Sequence, residues 1–404
     1  MTGIVVVGAG QAGASLAARV RALGYDGSVT LIGEEPTPPY QRPPLSKGYL
    51  LGDLDLERLY LRASSFWKEN EIDLKLSAPV KSIDRSARTV LADGEPIPYG
   101  KLALTMGSSP RRMPVAAGGD LRGVYTIRTL ADVDAMASEF QSGRKLLVIG
   151  GGYLGLEVAA VGVKLGLEIT LIEMAPRILQ RVAAPPTSDY FRELHCSHGV
   201  NILENTEIER LTGDVRVSGA ELSNGITVPT DFVIVAIGVT PKTGIAEEAG
   251  LEIENGIRTD SHGRTSDPNI WSAGECASFP YKGRRLRLEC VGNAIDQAEL
   301  VARNMLGGSE SYKAKPWFWS DQYDVKLQIA GLNTGYDRIA RRKGDNDRSM
   351  SVWYYRGGRL LAVDAINDPR AYMAGKRIID AAQTVAPEHV MDLRKIPKLC
   401  WHTP

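Results

Sequence analysis

The chain has 404 residues, of which 43% are hydrophobic and 24% charged, and its 48 basic and 48 acidic residues balance to a formal charge of zero. This length exceeds what one hydrophobic core usually serves, so two or three domains are expected. The balanced charge argues against nucleic-acid binding as the main activity. No apolar run reaches the length of a membrane span, and the first strand begins too close to Met1 to leave room for a signal peptide. We therefore expect a soluble, cytoplasmic protein with no membrane or nucleic-acid partner.

The first element is an apolar strand, Ile4–Val7, followed by a glycine-rich turn and an Ala/Leu-rich helix. The turn has the G-x-G-x-x-G spacing, which allows a tight bend and lets the backbone approach a pyrophosphate. A β-branched strand then ends at a glutamate about 20 residues after the last glycine, where a carboxylate binds ribose hydroxyls. The sequence therefore predicts a dinucleotide site that contains Gly8, Gly10, Ala12, Gly13 and Glu34.

The same pattern recurs about a third of the chain further on. A single copy also occurs as an ordinary glycine-rich turn, but the duplication favours two dinucleotides and electron transfer from one to the other. Glu173 would accept hydrogen bonds from a free 2′-hydroxyl and repel a 2′-phosphate, which favours NADH over NADPH. Arg177 is close enough in sequence to meet a phosphate and keeps the alternative open. The residues predicted for this second site are Gly150, Gly152, Tyr153, Leu154, Gly155 and Glu173.

The four cysteines, Cys196, Cys276, Cys290 and Cys400, form no C-x-x-C or similar pair. Flavoproteins with two dinucleotide sites often pass electrons through a dithiol soon after the first ribose-binding acid, but residues 38–47 contain no cysteine. We therefore expect direct transfer without a disulfide, buried reduced cysteines and no metal site.

Three segments in order carry a more specific resemblance. They are residues 40–47 (YQRPPLSK), the second glycine motif with its extension to Glu157, and residues 316–322 (PWFWSDQ). Together they resemble the FAD-dependent NADH:ferredoxin reductases, the family of putidaredoxin reductase and of the reductase components of aromatic-ring dioxygenases. The likeness covers essentially the whole chain. It implies an α/β fold with two Rossmann-like dinucleotide-binding domains, as in glutathione reductase, and a C-terminal α+β domain.

The resemblance also implies the domain boundaries. The FAD-binding domain would be discontinuous, comprising residues 1–112 and 240–315, and the NADH-binding domain would comprise residues 113–239. The C-terminal domain would comprise residues 316–404. In that last domain, alternating apolar residues at 326–332, 350–355 and 359–365 predict an antiparallel sheet with turns at 344–347 and 356–358. A final helix is expected from about Pro369 to Ala382.

The catalytic residues that the resemblance implies are Lys47, Glu157 and Trp319. Lys47 would reach the isoalloxazine ring, where a cation stabilises the negative charge that develops on reduction. Glu157, expected in the first turn of the second helix, would pair with Lys47 and orient the nicotinamide carboxamide. Trp319 would lie near the flavin ring. The alternatives are surface cations for Lys47 and Arg42, dipole compensation for Glu157 and a core aromatic cluster for Trp319.

Further FAD contacts follow from the same resemblance. Arg42 would contact the FAD, and Thr105 and Gly107 lie in the segment that closes over it. Arg128 matches an arginine near the FAD, although a simple ion pair is the alternative. Gly274 and Glu275 match the turn whose acidic residue bonds the ribitol, but the family usually has Asp after the glycine. Because Glu275 is one methylene longer, weaker flavin retention is expected.

The implied reaction is hydride transfer from NADH to FAD and then single-electron transfer to a [2Fe-2S] ferredoxin that supplies a cytochrome P450 or a dioxygenase. Such ferredoxins are commonly acidic, so two basic runs are candidate docking sites, with solvated charge as the alternative for each residue. The runs are Arg284, Arg285 and Arg287, and Arg341, Arg342 and Lys343. Alternatives on the same scaffold are a rubredoxin reductase, a quinone-type reductase or an NADH oxidase. A third class is an NADH-controlled interaction protein like apoptosis-inducing factor.

Overall fold

The computed structural model describes residues 3–391, which form two compact units. The first unit contains residues 3–42, 55–109 and 239–316, and the second contains residues 43–54, 110–238 and 317–391. The chain therefore passes between the units several times. The short segment 43–54 belongs to the second unit although the residues on both sides of it belong to the first.

The strands of the described residues are numbered in chain order. They are β1 (Ile4–Val7), β2 (Val29–Ile32), β3 (Ile72–Lys75), β4 (Val80–Asp84), β5 (Thr89–Ala92), β6 (Glu95–Pro98), β7 (Lys101–Leu104), β8 (Ser108–Pro110), β9 (Val124–Tyr125), β10 (Lys145–Ile149), β11 (Glu168–Ile172), β12 (Asn201–Leu203), β13 (Ile208–Thr212), β14 (Gly219–Leu222), β15 (Thr227–Pro229), β16 (Phe232–Val235), β17 (Val239–Pro241), β18 (Ile257–Arg258), β19 (Ile270–Ser272), β20 (Ala277–Tyr281), β21 (Arg284–Leu286), β22 (Trp317–Gln322), β23 (Val325–Gly331), β24 (Arg338–Lys343), β25 (Met350–Arg356) and β26 (Arg359–Ile366).

The helices are numbered in the same way. They are α1 (Gln11–Ala22), α2 (Leu56–Leu59), α3 (Ser64–Glu69), α4 (Leu130–Met136), α5 (Tyr153–Lys164), α6 (Pro185–Ser197), α7 (Gly244–Glu248), α8 (Val291–Met305) and α9 (Pro369–Asp380). Short 3-10 turns occur at Pro43–Ser46, Val115–Ala117, Ala137–Glu139 and His389–Met391. Within residues 3–391, no helix is both long enough and apolar enough to span a membrane.

The first unit is built on a parallel sheet in the order β19-β7-β1-β2-β3. Its central strand β1 is buried on both faces, which explains why the sequence there is a continuous apolar run. Val6 pairs in register with Leu31 on one side and Ala103 on the other. Helices α1 and α8 cover this sheet through a core that includes Leu16 and Val301. The turn from β1 into α1 is thereby held at the carboxyl edge of the sheet.

The second unit repeats this topology with a parallel sheet in the order β12-β11-β10-β16-β9. Here β10 is central, and Val148 pairs with Leu171 and Ile234. A three-stranded antiparallel sheet follows in each unit, with β4-β5-β6 coming after β3 and β13-β14-β15 coming after β12. The duplicated glycine motif of the sequence therefore lies within a duplicated arrangement of strands.

The second unit also contains an antiparallel sheet in the order β22-β23-β26-β25-β24, packed on α9. Strands β23, β25 and β26 occupy the three segments for which the alternating pattern predicts strands. Strands β22 and β24 are additional. The first contains the aromatic run and the second contains Arg341, Arg342 and Lys343. Trp353, Val363 and Ile378 are fully buried in the core between the sheet and α9.

Candidate active site

The turn between β1 and α1 requires glycine at two positions. Gly8 has a φ of +108°, and a Cβ atom there would lie 2.5 Å from the Thr105 carbonyl oxygen. A Cβ atom on Gly13 would lie 2.0 Å from the Gly8 carbonyl oxygen, so α1 packs directly against the turn. The Thr105 hydroxyl donates to the carbonyl oxygens of Val7 and Gly8, at 3.0 and 2.9 Å. Thr105 therefore holds the turn in place rather than pointing away from it.

The turn between β10 and α5 has the same geometry. Gly150 has a φ of +106°, and a Cβ atom there would lie 2.5 Å from the Ala236 carbonyl oxygen. A Cβ atom on Gly155 would lie 2.0 Å from the Gly150 carbonyl oxygen. The two glycine motifs are thus equivalent in backbone conformation as well as in spacing.

The middle glycine of each turn faces open space. Gly10 and Gly152 are the N-cap residues of α1 and α5, and a Cβ atom on either would have no neighbour within 4 Å. Neither helix has a side-chain cap or an acidic residue in its first turn. Free backbone N–H groups at the positive end of a helix bind anions. Both turns therefore fit a dinucleotide pyrophosphate. Among their other predicted residues, Ala12 is buried and Leu154 is half-buried.

The two predicted ribose acids follow β2 and β11. Glu34 is exposed and forms an ion pair with Lys242. Glu173 accepts hydrogen bonds from the backbone N–H groups of Gly151 and Ala175, both at 2.8 Å. Glu173 is thus attached to the second glycine turn itself, whereas Arg177 donates to the Ser188 hydroxyl and to the Gln180 carbonyl oxygen.

Arg42 is part of a compact polar group in the first unit. Its guanidinium lies 2.6 Å from Glu35 Oε1 and 3.0 Å from the Tyr40 hydroxyl. Tyr40 in turn donates to Glu35 Oε2 at 2.6 Å, and the Arg42 guanidinium lies over the Tyr40 ring. This network orients Arg42 within the first unit, which also contains the first glycine turn.

The segment around Gly274 also belongs to the first unit. Gly274 has a φ of +83°, and its N–H donates to Gln297 Oε1 at 2.9 Å. The Gln297 Nε2 atom is buried without a hydrogen-bond partner in the described structure, which indicates a donor available to a ligand. Glu275 accepts a hydrogen bond of 2.7 Å from Ser108, next to Gly107 with its φ of +68°. The Glu275 carboxylate is thus held by Ser108 within the first unit.

The predicted FAD residues do not all belong to one unit. Lys47, Arg128 and Trp319 lie in the second unit, and the others lie in the first. Arg128 precedes α4, where its backbone N–H donates to Asp132 Oδ2 at 3.0 Å. That carboxylate also closes the capping box with Thr129 at the start of α4.

Lys47 and Glu157 are in direct contact in the second unit. Lys47 Nζ lies 2.6 Å from Glu157 Oε2, which also accepts a 2.8 Å hydrogen bond from Ser46. The Ser320 hydroxyl donates to the other oxygen, Oε1, at 2.7 Å. Glu157 is 5% exposed. Three donors therefore satisfy a buried carboxylate, and the lysine makes this a charge-assisted arrangement.

The expected position of Glu157 in the first turn of its helix is wrong. Helix α5 begins at Tyr153, so Glu157 lies in the second turn, and the first turn contains no acidic residue. Because the helix dipole acts mainly on groups within the first turn, dipole compensation does not explain this glutamate. The hydrogen bonds from Lys47, Ser46 and Ser320 explain why a carboxylate is buried at this position.

Strand β22 presents different residues on its two faces. Phe318 contacts Tyr153 with ring centroids 4.7 Å apart, and Ser320 bonds Glu157. Because successive side chains of a strand point to opposite faces, Trp319 lies on the other face, where its ring stacks with Trp317 at 5.4 Å. The structure therefore brings Lys47 and Glu157 together but places Trp319 on the opposite face of β22 from Glu157.

A buried polar cluster in the second unit has no counterpart in the sequence analysis. Asp364 Oδ2 accepts hydrogen bonds from the hydroxyl groups of Thr187, at 2.8 Å, and Tyr354. Burial raises the pKa of Asp364 to about 7. Its Oδ1 atom and the Tyr153 hydroxyl are both buried without a partner within residues 3–391. The ring of Tyr153, beside the second glycine turn, contacts the C-terminal sheet by packing against Phe318.

The two basic runs are largely occupied by internal partners. Arg285 bonds the carbonyl oxygens of Thr259 and Ser278, and Arg287 pairs with Glu289 at 2.6 Å. In the second run, which lies in β24, Arg342 forms an ion pair with Asp368 and Lys343 forms one with Asp347.

The described cysteines are Cys196, Cys276 and Cys290, and all three are free thiols. Cys276 is buried as expected, but the expectation of burial is wrong for Cys196, which is exposed at the end of α6, while Cys400 lies outside the described residues. Within residues 3–391, no group of three or more His, Cys, Asp or Glu side chains is arranged to hold a metal ion.

Two family profiles match the chain. Residues 2–298 match the pyridine nucleotide-disulphide oxidoreductases, and residues 317–396 match the reductase C-terminal domain. A ferredoxin–NAD(P)+ reductase of Sphingomonas sp. is 43% identical over 95% of this chain and 94% of its own length. Putidaredoxin reductase of Pseudomonas putida is 39% identical over 96% and 94%, and a rubredoxin–NAD+ reductase of Pseudomonas putida is 36% identical over 91% and 96%.

Solved structures agree with these matches. The covalent putidaredoxin reductase–putidaredoxin complex superposes with a TM-score of 0.95 at 37% identity, covering 100% of this chain and 99% of the other. The ferredoxin reductase for the CYP199A2 system of Rhodopseudomonas palustris gives a TM-score of 0.94 at 37% identity and 98% coverage of both. The predicted fold class is confirmed, and FAD and NAD(P)H are the cofactors of this family. The chain belongs to the pyridine nucleotide-disulphide oxidoreductase family, in the branch of ferredoxin reductases that carry a reductase C-terminal domain.

Proposed function

We propose that this chain is a reductase that takes electrons from NADH and passes them through FAD to a small [2Fe-2S] ferredoxin, which supplies a cytochrome P450 or a ring-hydroxylating dioxygenase. The observation that carries the proposal is the pair of glycine turns with equal geometry, one in each unit. The sequence contains no closely spaced cysteine pair that could act as an intermediate carrier. FAD, when bound, supplies the change from two-electron to one-electron transfer.

The names of the relatives support the same acceptor class. Those with 43% and 39% identity are named as reductases of a ferredoxin and of putidaredoxin. Others at 38–40% identity are named as ferredoxin reductase components of an anthranilate 1,2-dioxygenase system and of an O-demethylase. Because these proteins match this chain over nearly its full length, a ferredoxin is the acceptor that the comparisons favour.

The proposed role of each site residue follows from its position. The N–H groups at the start of α1 and α5 bind the two pyrophosphates. Lys47 contributes a cation that stabilises negative charge on the reduced flavin, and Glu157 orients the nicotinamide carboxamide. Trp319 shapes the face at which electrons leave. Each of these roles concerns binding, orientation or charge, because hydride transfer requires no general base.

The proposed donor is NADH rather than NADPH. Glu173 places a carboxylate at the second glycine turn, where it would repel a 2′-phosphate. Arg177, the cation nearest in sequence, already donates to Ser188 and Gln180. A carboxylate that keeps free lone pairs can still accept a hydrogen bond from a ribose hydroxyl. These contacts support a preference for the unphosphorylated coenzyme.

The proposal also includes the domain assignment and a cytoplasmic location. Residues 1–112 and 240–315 would bind FAD, residues 113–239 would bind NADH, and residues 316–404 would form the C-terminal domain. The start of the C-terminal family match at residue 317 supports the last boundary. The free thiols of Cys196, Cys276 and Cys290 support a reducing compartment.

The test compares acceptors under the same conditions. Purified FAD-loaded protein is supplied with NADH and with one acceptor at a time, which is a [2Fe-2S] ferredoxin, a rubredoxin or oxygen alone. The initial rate of reduction of each acceptor is measured. We expect ferredoxin reduction to be fastest and to decrease with added salt, since charged redox partners associate electrostatically. Faster turnover with oxygen than with any ferredoxin would contradict the proposal.

A rubredoxin reductase is the second candidate. The observation that favours it is the 36% identity with a rubredoxin–NAD+ reductase over 91% of this chain. A rate with rubredoxin that exceeds the rate with every ferredoxin tried would select this candidate.

A further inference from the structure

A chain of buried hydrogen bonds runs from Glu157 toward the surface of the second unit. Ser320 donates to Glu157 Oε1 at 2.7 Å, and Gln322 Nε2 lies 3.2 Å from the Ser320 hydroxyl. Gln322 Oε1 lies 2.8 Å from His195 Nε2, and the Tyr323 hydroxyl lies 3.1 Å from His195 Nδ1. Ser320, Gln322 and His195 are fully buried. The chain is therefore shielded from water along most of its length.

The secondary structure explains why these side chains meet. Ser320 and Gln322 are two residues apart in β22 and so point to the same face. His195 lies in the last turn of α6, opposite Gln322. Tyr323 follows the strand with a φ of +56°, a conformation that residues other than glycine rarely adopt. The Tyr323 ring lies next to the His195 ring, with ring centroids 5.0 Å apart.

The chemistry of the carboxylate sets the direction of every hydrogen bond. An ionised Glu157 can only accept, so Ser320 must donate to it and must itself accept from the Gln322 amide nitrogen. The Gln322 amide oxygen then faces His195, whose Nε2 atom must carry the proton. Burial lowers the pKa of His195 to about 4, which keeps the imidazole neutral with a single proton. Its Nδ1 atom therefore accepts from the Tyr323 hydroxyl.

All four bonds consequently point toward Glu157. Their dipoles stabilise the negative charge on Oε1, while Lys47 and Ser46 act on Oε2. An amide does not conduct protons in this way, so the chain orients the carboxylate rather than transferring protons to it. The side chain of Glu157 is thereby fixed by donors on both of its oxygens.

We propose that Ser320, Gln322 and His195 are positioning residues that hold the Glu157 carboxylate in the orientation needed for hydride transfer from the nicotinamide. This inference rests on the proposed function, because it assigns a task to residues behind Glu157 in that reaction. None of the three needs to touch the coenzyme. Their effect is transmitted through the hydrogen bonds to the carboxylate.

The first test observes His195 directly. The chain has five histidines, so ¹⁵N-histidine labelling of the FAD-loaded protein gives few signals, and the His195→Gln variant assigns the one of interest. We expect a neutral imidazole protonated on Nε2 at neutral pH. In Gln322→Leu, which lacks the amide oxygen that bonds Nε2, His195 should no longer prefer this tautomer. A wild-type His195 that is protonated on Nδ1 or is an even mixture of tautomers would overturn the proposal.

The second test measures the rate at which NADH bleaches the bound flavin in a stopped-flow experiment. Gln322→Leu and His195→Leu should each slow this step about tenfold, as expected for losing a hydrogen bond that supports a charged group. His195→Gln should restore the rate to within about twofold, because the amide nitrogen of glutamine can replace Nε2 as the donor. The dissociation constant for NAD⁺ should change less than the rate.

Ser351→Ala is the matched control. Ser351 is also fully buried in the C-terminal sheet, but it accepts from Trp353 Nε1 and has no connection to Glu157. It should leave the bleaching rate unchanged. If Gln322→Leu is as fast as this control, or if His195→Gln is no faster than His195→Leu, the proposal is wrong. If His195→Leu does not fold, the bleaching rate of Gln322→Leu and the His195 tautomer in the wild-type protein still test the proposal.

The bleaching step also separates this inference from the proposed function. It involves NADH and the flavin only, with no ferredoxin present. A wild-type protein that is bleached by NADH but reduces no ferredoxin would contradict the proposed acceptor and leave the positioning test valid. Normal ferredoxin reduction together with unaffected variants would contradict the positioning role alone.

Discussion

Lys47 and Glu157 form an ion pair of 2.6 Å although 110 residues separate them in the sequence. The contact exists because the segment 43–54 belongs to the second unit, where it lies against α5. Two serines, Ser46 and Ser320, complete the hydrogen bonding of the carboxylate. Since a buried ion that loses its partner is costly, each member of this group stabilises the position of the others.

Replacing Glu157 by Gln tests the role of the charge, since the two side chains have nearly the same shape. We expect Glu157→Gln to slow reduction of the flavin by NADH by about 10- to 100-fold, because a charged hydrogen bond contributes about 1.5–3 kcal/mol. The flavin content should stay at the wild-type level. Stopped-flow absorbance and the ratio of flavin to protein measure the two quantities.

Glu139→Gln is the control for this variant. Glu139 is also buried and pairs with Arg144 and Arg216, but it has no bond to Lys47. We expect a lower melting temperature and an unchanged rate of flavin reduction. Equal slowing by both variants would show that the loss of Glu157 acts through stability alone.

The two glycine turns should be separable by mutation. Gly10 and Gly152 have ordinary negative φ angles and face open space, so alanine is compatible with the fold at both positions. The added methyl group would occupy the room in which a pyrophosphate approaches the backbone. We expect Gly10→Ala to lower the flavin content of the purified protein. Gly152→Ala should retain flavin and raise the dissociation constant for NADH at least about tenfold.

Gly244→Ala controls for the general cost of adding a methyl group. Gly244 begins α7, and a Cβ atom there would also have no neighbour within 4 Å. Flavin content and NADH affinity should both be unchanged. If Gly10→Ala and Gly152→Ala had the same effect on both cofactors, the assignment of one turn to each would be wrong.

The sequence could predict the glycine turns because their backbone conformation and the packing of the third glycine are local, although the carbonyl groups that crowd Gly8 and Gly150 come from distant residues. The positive φ angles of Gly8 and Gly150 and the close packing of the third glycine are all set within about six residues. The same holds for Glu173, which follows directly from the strand before it. For this reason the motifs predicted both the fold class and the positions of the turns.

The sequence could not predict contacts that depend on tertiary packing. Ser46 and Ser320 lie 111 and 163 residues from Glu157, and no spacing rule connects them. The only sequence feature that pointed to Ser320 is that it lies in the PWFWSDQ segment, which carries part of the family resemblance. The alternation of β22 then decides which of its residues face α5, and a strand was not predicted there because the aromatic run shows no alternation of polarity.

Glu173 should control the choice of coenzyme. Replacing it by Ser removes the carboxylate that would repel a 2′-phosphate and keeps a hydroxyl that can bond a ribose. We expect Glu173→Ser to raise the ratio of kcat/KM for NADPH to that for NADH about tenfold, corresponding to about 1.4 kcal/mol. Glu168→Gln removes one charge from the exposed start of the same strand and should leave the ratio unchanged. An unchanged ratio in Glu173→Ser would remove Glu173 from coenzyme selection.

Asp364 should make stability depend on pH in a specific direction. Burial raises its pKa from 3.8 to about 7, so between these values the unfolded chain releases a proton that the folded protein keeps. The contribution of Asp364 to the free energy of unfolding is therefore greatest below about pH 4. It decreases by about 4 kcal/mol in total as the pH rises to about 7. Asp364→Asn removes the titration. The difference in melting temperature between Asp364→Asn and wild type should be more positive at pH 8 than at pH 5. The same difference for the exposed Asp214→Asn should not change with pH. A pH-independent difference between Asp364→Asn and wild type would show that Asp364 does not titrate in this range.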